Sequence, residues 1–569
     1  MGHHHPGPRR RRPRHRLPRL APARAGVDEE GAAPHRPRRL DDVRGRLRHH
    51  GGAARHGRPG AAVGPQRRLL LRPVLRPGPL RQGLVPPVGQ VLRRLQQPRP
   101  AGRHHPRAQR QRRLVLDAGH RAHLPRRRLT RVEDAGPLTL RRAAAVWLRI
   151  GLLSFGGPAG QIALMHRELV ERRRWISEPR FLHALNFCTV LPGPEAQQLA
   201  TYVGWLLHRT PGGLVAGGLF VLPGAVMMMG LSAVYAAFHQ VPVVMALFFG
   251  IKAAVLAVVV EAVLRIGRRA LETRVAVAVA ALSFVALFVF SVPFPALILV
   301  SGLAGALGLP VRRAVAVGAA PEVADSVVDR LFAEGRLEHT RPSPRRALGT
   351  ATLWAGLWAA PVLAVFAWRG PGDVLTREGV FFSQAAVVTF GGAYAVLAWV
   401  AQEAVSSFGW LTAQEMVDGL GLAETTPGPL ILVVQFVGFV AAHRHAPGLS
   451  PWVAGVLGAS LTVWVTFAPC FLWIFTFAPF VEAVRGNRRL SAALSAITAA
   501  VVGVILNLSV FFAVNVLFLP VEAGGQGLGP PDLRAFAISA VAFVLLLRLE
   551  QGLGRTLAVC ALLGLLSSF

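Results

Sequence analysis

Two Pro-Gly-Pro motifs lie inside long apolar stretches of the sequence, one at 192–194 and the other at 427–429. Because proline lacks an N–H and blocks the preceding helical turn, each motif should split a helix and free backbone groups. The N-terminus of a split helix carries exposed N–H donors and the positive end of its dipole, which attract an anion. The motifs therefore predict a site for a divalent oxyanion.

Polar side chains accompany both breaks. They are Glu195, Gln197, Gln198, Thr201 and Tyr202 in the first stretch, and Glu424, Thr425, Thr426 and Gln435 in the second. These side chains can donate to or accept from an anion, and the carboxyl of Glu195 or Glu424 could carry a coupled proton. The alternative is that they only satisfy the backbone groups that the prolines free.

The sequence holds a single lysine, Lys252, inside an apolar stretch. Every other cation is an arginine, so a lysine here indicates a need for a compact, movable charge. The alternative is a side chain that extends to a nearby membrane interface. Glu261, nine residues on, lies on another helix face, and its better partner is Arg265 at i+4.

An internal repeat relates two halves of the chain. Phe155-Gly156-Gly157 recurs as Phe390-Gly391-Gly392, Trp175 as Trp410 and Pro192-Gly193-Pro194 as Pro427-Gly428-Pro429, all at an offset of 235, while Pro223 and Pro469 differ by 246. The glycine pairs permit close backbone approach, although glycines also serve packing in membrane helices. The predicted anion contacts are Gly156, Gly157, Gly193, Gln198, Lys252, Gly391, Gly392, Thr425, Thr426, Gly428 and Gln435.

The repeat lies within apolar segments that predict an all-α polytopic membrane protein. The predicted segments are 143–163, 181–207, 212–238, 242–264, 275–291, 293–309, 349–368, 380–400, 416–442, 451–480, 492–519, 532–549 and 553–569. They approach or exceed the ~20 residues that cross a bilayer, where only helices satisfy the backbone.

The charged connections predict that the two halves are inverted in the membrane. Loops 166–180 and 265–274 are rich in arginine, whereas the corresponding loops 401–415 and 520–531 hold no basic residue. Basic loops face the cytoplasm, and inverted repeats are typical of secondary transporters. Thirteen full crossings would violate the charge rule. Re-entrant hairpins at the Phe-Gly-Gly and Pro-Gly-Pro motifs remove the conflict and leave nine crossings and four hairpins.

Residues 1–135 have a different composition from the rest of the chain. They hold 34 Arg and 8 acids, and no Phe, Trp, Tyr or Ile, so they cannot bury a core. We expect a disordered arm, and its bias is typical of a gene translated upstream of its true start. The alternatives are a solvated tail and an arm that binds nucleic acid or lipid.

Enzymatic and metal chemistry find little support in the sequence. Cys188, Cys470 and Cys560 are dispersed in apolar stretches without metal-ligand spacing. No catalytic triad order or phosphate loop appears. We therefore expect no enzyme, no cofactor, no metal and no nucleic-acid partner. The expected partners are an oxyanion, protons and the lipid bilayer, and the oligomeric state stays open.

The motifs resemble those of the long chromate ion transporters over about 140–569. The first half carries the resemblance at 155–159, 172–175, 191–196 and 222–224, and the second half at 389–394 and 424–430. It implies a transporter of the bacterial inner membrane that exports chromate with the proton-motive force. The implied domains are a first half at 140–310, a cytoplasmic linker at 311–348 and a second half at 349–569. A sulfate or general oxyanion carrier is the alternative.

Overall fold

Apolar segments with few polar residues fold as helices because a helix satisfies its own backbone groups. The computed structural model describes residues 138–311, 326–390, 392–481, 488–519 and 528–568, all within one compact unit, Leu84–Phe569. Across these ranges the regular structure is helical, apart from an isolated bridge between Phe518 and Pro531. The chain is therefore an all-α polytopic membrane protein, as predicted.

Seven helices form the first half, and a short helix follows in the linker. They are α1 (Leu140–Leu153), α2 (Gly157–His166), α3 (Glu178–Cys188), α4 (Glu195–Phe238), α5 (Pro242–Ala270), α6 (Arg274–Phe288), α7 (Phe294–Ala306) and α8 (Val327–Ala333).

In the described residues of the second half, nine further α-helices follow. They are α9 (Pro344–Arg369), α10 (Val374–Val388), α11 (Ala393–Gln402), α12 (Ala413–Thr425), α13 (Val433–His445), α14 (Pro451–Phe477), α15 (Arg488–Leu517), α16 (Leu533–Phe543) and α17 (Leu553–Leu566).

Within the described ranges, five helices are long and apolar enough to cross a membrane: α4, α5, α9, α14 and α15. The shorter apolar helices include α6, α7, α13 and α17. Helix α9 has a single buried residue, Trp354, although its sequence is apolar, which is typical of a helix that faces lipid. In contrast, every residue from Val433 to Ala442 of α13 is buried. Helix α13 therefore belongs to the centre of the molecule.

The two halves pack into each other. Helix α4 of the first half packs against α13 and α14 of the second, and α5 packs against α12, α15 and α17. The first predicted segments, 143–163 and 181–207, are interrupted at the motifs, and the residues from 195 to 238 continue as α4. Within α4 the backbone is non-helical at His208 and Arg209, near the predicted boundary between 207 and 212.

Local structure recurs at the spacing of the motif repeat. The Trp175 N–H donates to the Leu169 carbonyl at 2.8 Å, and the Trp410 N–H donates to the Ala404 carbonyl at the same distance. Each contact closes a π-helical turn, Arg167–Arg172 or Glu403–Ser407. The inverted orientation of the halves and the number of crossings stay predictions.

Candidate anion site

The motifs of the two halves meet crosswise. The Gly193 N–H, in the first Pro-Gly-Pro, donates to the Thr389 carbonyl at 2.8 Å, directly before the second Phe-Gly-Gly. The Gly428 N–H, in the second Pro-Gly-Pro, donates to the Ser154 carbonyl at 2.8 Å, directly before the first Phe-Gly-Gly. Both donors and both acceptors are related by the offset of 235. Each helix break is thus held by the other half of the chain.

The glycines at these breaks have backbone conformations that other residues rarely adopt. The φ angles are 86° at Gly156, 70° at Gly157, 117° at Gly193, 103° at Gly392 and 96° at Gly428, and left-handed values favour glycine. Gly391 lies outside the described residues.

The surroundings of the breaks differ. A methyl group added at Gly156, Gly157 or Gly392 would meet no atom of the described residues within 4 Å, whereas one at Gly193 would lie 2.9 Å from Cys470 Sγ. The N-termini of α2 and α11, which begin at the Phe-Gly-Gly motifs, therefore border open space.

Several of the predicted anion donors are engaged within the protein. The Gly193 and Gly428 N–H groups form the crosswise bonds, and the Thr425 and Thr426 hydroxyls donate to the Leu422 and Ala423 carbonyls at 2.7 and 2.9 Å. An anion could use these four donors only after the existing hydrogen bonds break. The sequence could not predict the Gly193 and Gly428 bonds, because their acceptors lie in the other half.

Buried glutamine amides surround the Pro-Gly-Pro breaks. Gln161 donates to the Gly428 carbonyl at 2.6 Å, Gln198 to the Pro192 carbonyl at 2.7 Å and Gln435 to the Ala225 carbonyl at 3.0 Å. Gln197 is fully buried, and neither its amide oxygen nor its amide nitrogen has a hydrogen-bond partner within the described ranges. Because an unsatisfied buried amide costs free energy, Gln197 joins the candidates for ligand contact.

Lys252 forms an ion pair that joins the two halves. Its Nζ in α5 lies 3.3 Å from Asp418 Oδ2 in α12, and the Tyr235 hydroxyl in α4 donates to the same oxygen at 2.9 Å. Asp418 Oδ1 is buried and has no hydrogen-bond partner in the described part of the chain. The sequence prediction missed Asp418, although an acid inside an apolar segment was the signal that could have found it.

The other predicted acidic residues lie in different environments. Glu424 Oε1 accepts a hydrogen bond from the Tyr394 hydroxyl at 2.5 Å, between α12 and α11. Glu195 begins α4, and the described residues provide no hydrogen bond or ion pair to its carboxylate. Glu261 lies 3.6 Å from Arg265, which confirms the predicted i+4 pair.

Comparisons with known proteins agree with the motifs. The sequence profile described as chromate transporter matches residues 142–306 and 378–566. A chromate transport protein of Pseudomonas aeruginosa is 36% identical over 376 residues, which cover 65% of this chain and 80% of that protein.

More distant relatives carry similar names. A chromate transport protein of Cupriavidus metallidurans is 26% identical, over 66% of this chain and 82% of its own length. A probable chromate transport protein of Synechococcus elongatus is 27% identical, over 74% and 93% respectively. No solved structure matches the chain. With its helical fold and both repeat halves matched, the chain belongs to the chromate transporter family.

Proposed function

We propose that this protein exports chromate across the bacterial inner membrane as a secondary transporter driven by the proton gradient. The crosswise contacts carry the proposal: Gly193 bonds to Thr389, and Gly428 bonds to Ser154, each across the two halves. A movement of one half against the other must therefore change both of these hydrogen bonds. Broken helices at the interface of two repeats are typical of transporter substrate sites.

The donors for the oxyanion are the open helix N-termini and the buried amides. Helices α2 and α11 begin at glycines that face open space, and their first N–H groups suit a tetrahedral dianion. Gln197 adds an amide nitrogen that no described group satisfies. The amide nitrogens of Gln198 and Gln435 become donors for the anion if they leave the Pro192 and Ala225 carbonyls. Thr425 and Thr426 contribute if their hydroxyls leave the carbonyls that now accept them.

Lys252 supplies the positive charge. Asp418, its partner, lies seven residues before Thr425 on α12, about 10 Å along the helix at 1.5 Å per residue. A dianion that binds Lys252 must displace the Asp418 carboxylate, so the ion pair and the substrate compete. This competition keeps the lysine neutralised between turnovers, because an unpaired buried charge is costly. Glu195 or Glu424 carries the coupled proton.

The test is the flux of labelled chromate into inside-out membrane vesicles from cells that express residues 132–569. Flux is measured with and without a proton gradient, and with excess sulfate, against vesicles that lack the protein. Residues 132–569 include the whole match to the family profile, which begins at residue 142. We expect uptake that depends on the proton gradient and that sulfate barely inhibits.

The other outcomes lead to different conclusions. Strong inhibition by sulfate would indicate a general oxyanion carrier. Chromate uptake that does not depend on the proton gradient would contradict proton coupling but not chromate transport. No uptake, with the protein shown to be inserted, would contradict the proposed function.

A further inference from the structure

Helix α10 contains a carboxyl group that belongs to none of the sites above. Glu378 is 0% exposed, and neither carboxylate oxygen has a hydrogen-bond partner among the described residues. Its Oε2 lies against α14, since a methyl group added at Gly458 would come within 2.7 Å of it. One turn further along α14, the fully buried Thr462 hydroxyl also has no partner in the described ranges.

No basic side chain of the described residues lies within ion-pair distance of Glu378, and Arg377, which precedes it in α10, is exposed. Gly438 of α13 packs against the Thr462 side chain, so α13 and α14 meet here through small or uncharged residues. Asp373, at the start of α10, has the same sign as an ionised Glu378. The nearby arginine, Arg369, is paired with Asp373 at 3.0 Å.

An ionised Glu378 would therefore lack a counter-ion and a hydrogen bond among the described residues, in a position closed to bulk solvent. The cost of such a group in a protein interior is several kcal/mol. The neutral, protonated acid avoids this cost. Burial without a partner therefore favours the protonated carboxyl in the conformation described.

A purely structural role does not explain this residue. An apolar side chain of similar size would stabilise the fold better than a buried acid without a hydrogen bond. Ionisable residues inside membrane segments mark pathways for ions and protons. The corresponding residue of the first half, at the offset of 235, is Ala143, so the repeat itself does not require an acid here.

The position of Glu378 connects it to the moving part of the molecule. Helix α10 ends at Val388, and the next residue, Thr389, accepts the crosswise hydrogen bond from Gly193. Glu378 lies eleven residues before Thr389, which is about 16 Å along the helix axis. A shift of the break that draws α10 away from α13 and α14 would admit water to the carboxyl.

We propose that Glu378 is a proton-binding site of the transporter, protonated while it is buried between α10, α13 and α14 and ionised when water reaches it. The inference rests on the proposed proton-coupled transport, and it adds a site beyond Glu195 and Glu424. On one side of the membrane the carboxylate takes a proton from hydronium and leaves water. On the other side the carboxyl returns the proton to water.

The first test needs no transport. Infrared spectra of the purified full chain at neutral pH are compared with those of Glu378→Gln, which keeps the size of the side chain and cannot ionise. We expect the wild type to show the C=O stretch of a protonated carboxyl that the variant lacks. Equal carboxyl bands in the two proteins would overturn the proposal.

The second test uses chromate flux in vesicles. Glu378→Gln should retain flux down a chromate gradient but lose its dependence on the proton gradient, while Glu378→Asp, which can still titrate, should retain that dependence with a shifted pH profile. Glu334→Gln is the matched control, because Glu334 is exposed in the linker and pairs with Arg336 at 3.4 Å, and we expect wild-type behaviour. A Glu378→Gln variant that is driven by the proton gradient like the wild type would overturn the proposal. A wild type without flux would contradict the proposed function alone, since the infrared result stands by itself.

Discussion

Lys252 is the residue on which the charge of the proposed site depends. Lys252→Ala should abolish chromate flux, because it removes the cation and leaves Asp418, which is 4% exposed, without a counter-ion. Lys252→Arg should impair flux, because a planar guanidinium does not replace a compact ammonium group. Flux in vesicles measures both effects, and wild-type efflux in both variants would contradict the assignment.

A double variant separates substrate binding from charge balance. In Lys252→Ala/Asp418→Asn no buried charge is left unpaired, so the unfolding temperature in detergent should return toward that of the wild type. Flux should stay absent, since the asparagine supplies no cation. Restored flux in the double variant would show that the lysine only neutralises Asp418.

Glu424 and Tyr394 allow a similar separation of structure from coupling. Tyr394→Phe removes the donor of a buried 2.5 Å hydrogen bond, which should lower the free energy of unfolding by about 1–3 kcal/mol. Glu424→Gln keeps an oxygen that accepts from Tyr394, so it should be the more stable variant. If Glu424 carries the coupled proton, Glu424→Gln should nevertheless lose the chromate flux that the proton gradient drives. Flux is measured in vesicles for this variant and for Glu195→Gln. Undiminished gradient-driven flux in Glu424→Gln would leave Glu195 as the candidate.

For individual residues, the sequence predicted contacts within one helix correctly. The pair Glu261–Arg265 followed from the helical period, and the lone lysine was noticeable by its type. Asp418, the partner of Lys252, is 166 positions away in the other half, and no periodicity predicts such a contact. Gln197 and Glu378 differ from other buried polar residues in that their side chains lack hydrogen-bond partners among the described residues. That property belongs to the folded structure.

Among the helices, the breaks were the most predictable elements. The predicted segments 143–163, 181–207, 380–400 and 416–442 are all interrupted at Phe-Gly-Gly or Pro-Gly-Pro, since proline and glycine chemistry acts locally. The engagement of the Gly193 and Gly428 N–H groups was not predictable, because it depends on how the halves pack.

Glycine at the crosswise contacts should be difficult to replace. Gly193→Ala forces a side chain into φ 117° and toward Cys470 Sγ, and the backbone strain alone costs about 1–3 kcal/mol. We expect a lower unfolding temperature and reduced flux, with a smaller effect for Gly428→Ala, whose added methyl group would lie 3.2 Å from Leu432 Cδ1. Gly230→Ala is the control, because it lies in α4 with no atom within 4 Å of the added methyl group. Equal effects at positions 193 and 230 would contradict the prediction.

For the whole molecule, the repeat indicated two related halves but not the way in which they interlock. Helices of one half pack against those of the other, so the proposed substrate site cannot be assigned to either half alone. The linker also has a place in this arrangement. The Val327 and Val328 N–H groups donate to the Arg174 and Trp175 carbonyls at 3.0 Å, which docks α8 on the first half.

His339 continues this docking and should make it sensitive to pH. Its Nε2 lies 3.0 Å from the Trp205 carbonyl, and its Nδ1 is buried without a partner among the described residues. Burial lowers the pKa of His339, the hydrogen bond to Trp205 offsets part of this effect, and Arg209 and Arg346 lower the pKa further. A proton on Nδ1 would meet no acceptor among the described residues, so docking favours the neutral histidine.

The sign of the pH dependence follows from this lowered pKa. The undocked histidine, with its ordinary pKa of about 6.5, binds a proton more readily than the docked one, so docking is strongest above that pH and weakens as the pH falls below it. Trypsin should therefore cleave the linker after Arg336 faster at about pH 5.5 than at about pH 7.5, after correction for the activity of the protease. His339→Gln can keep the hydrogen bond to Trp205 and cannot titrate, so its cleavage rate should not change in this range. The same pH dependence in His339→Gln would show that another group controls the linker.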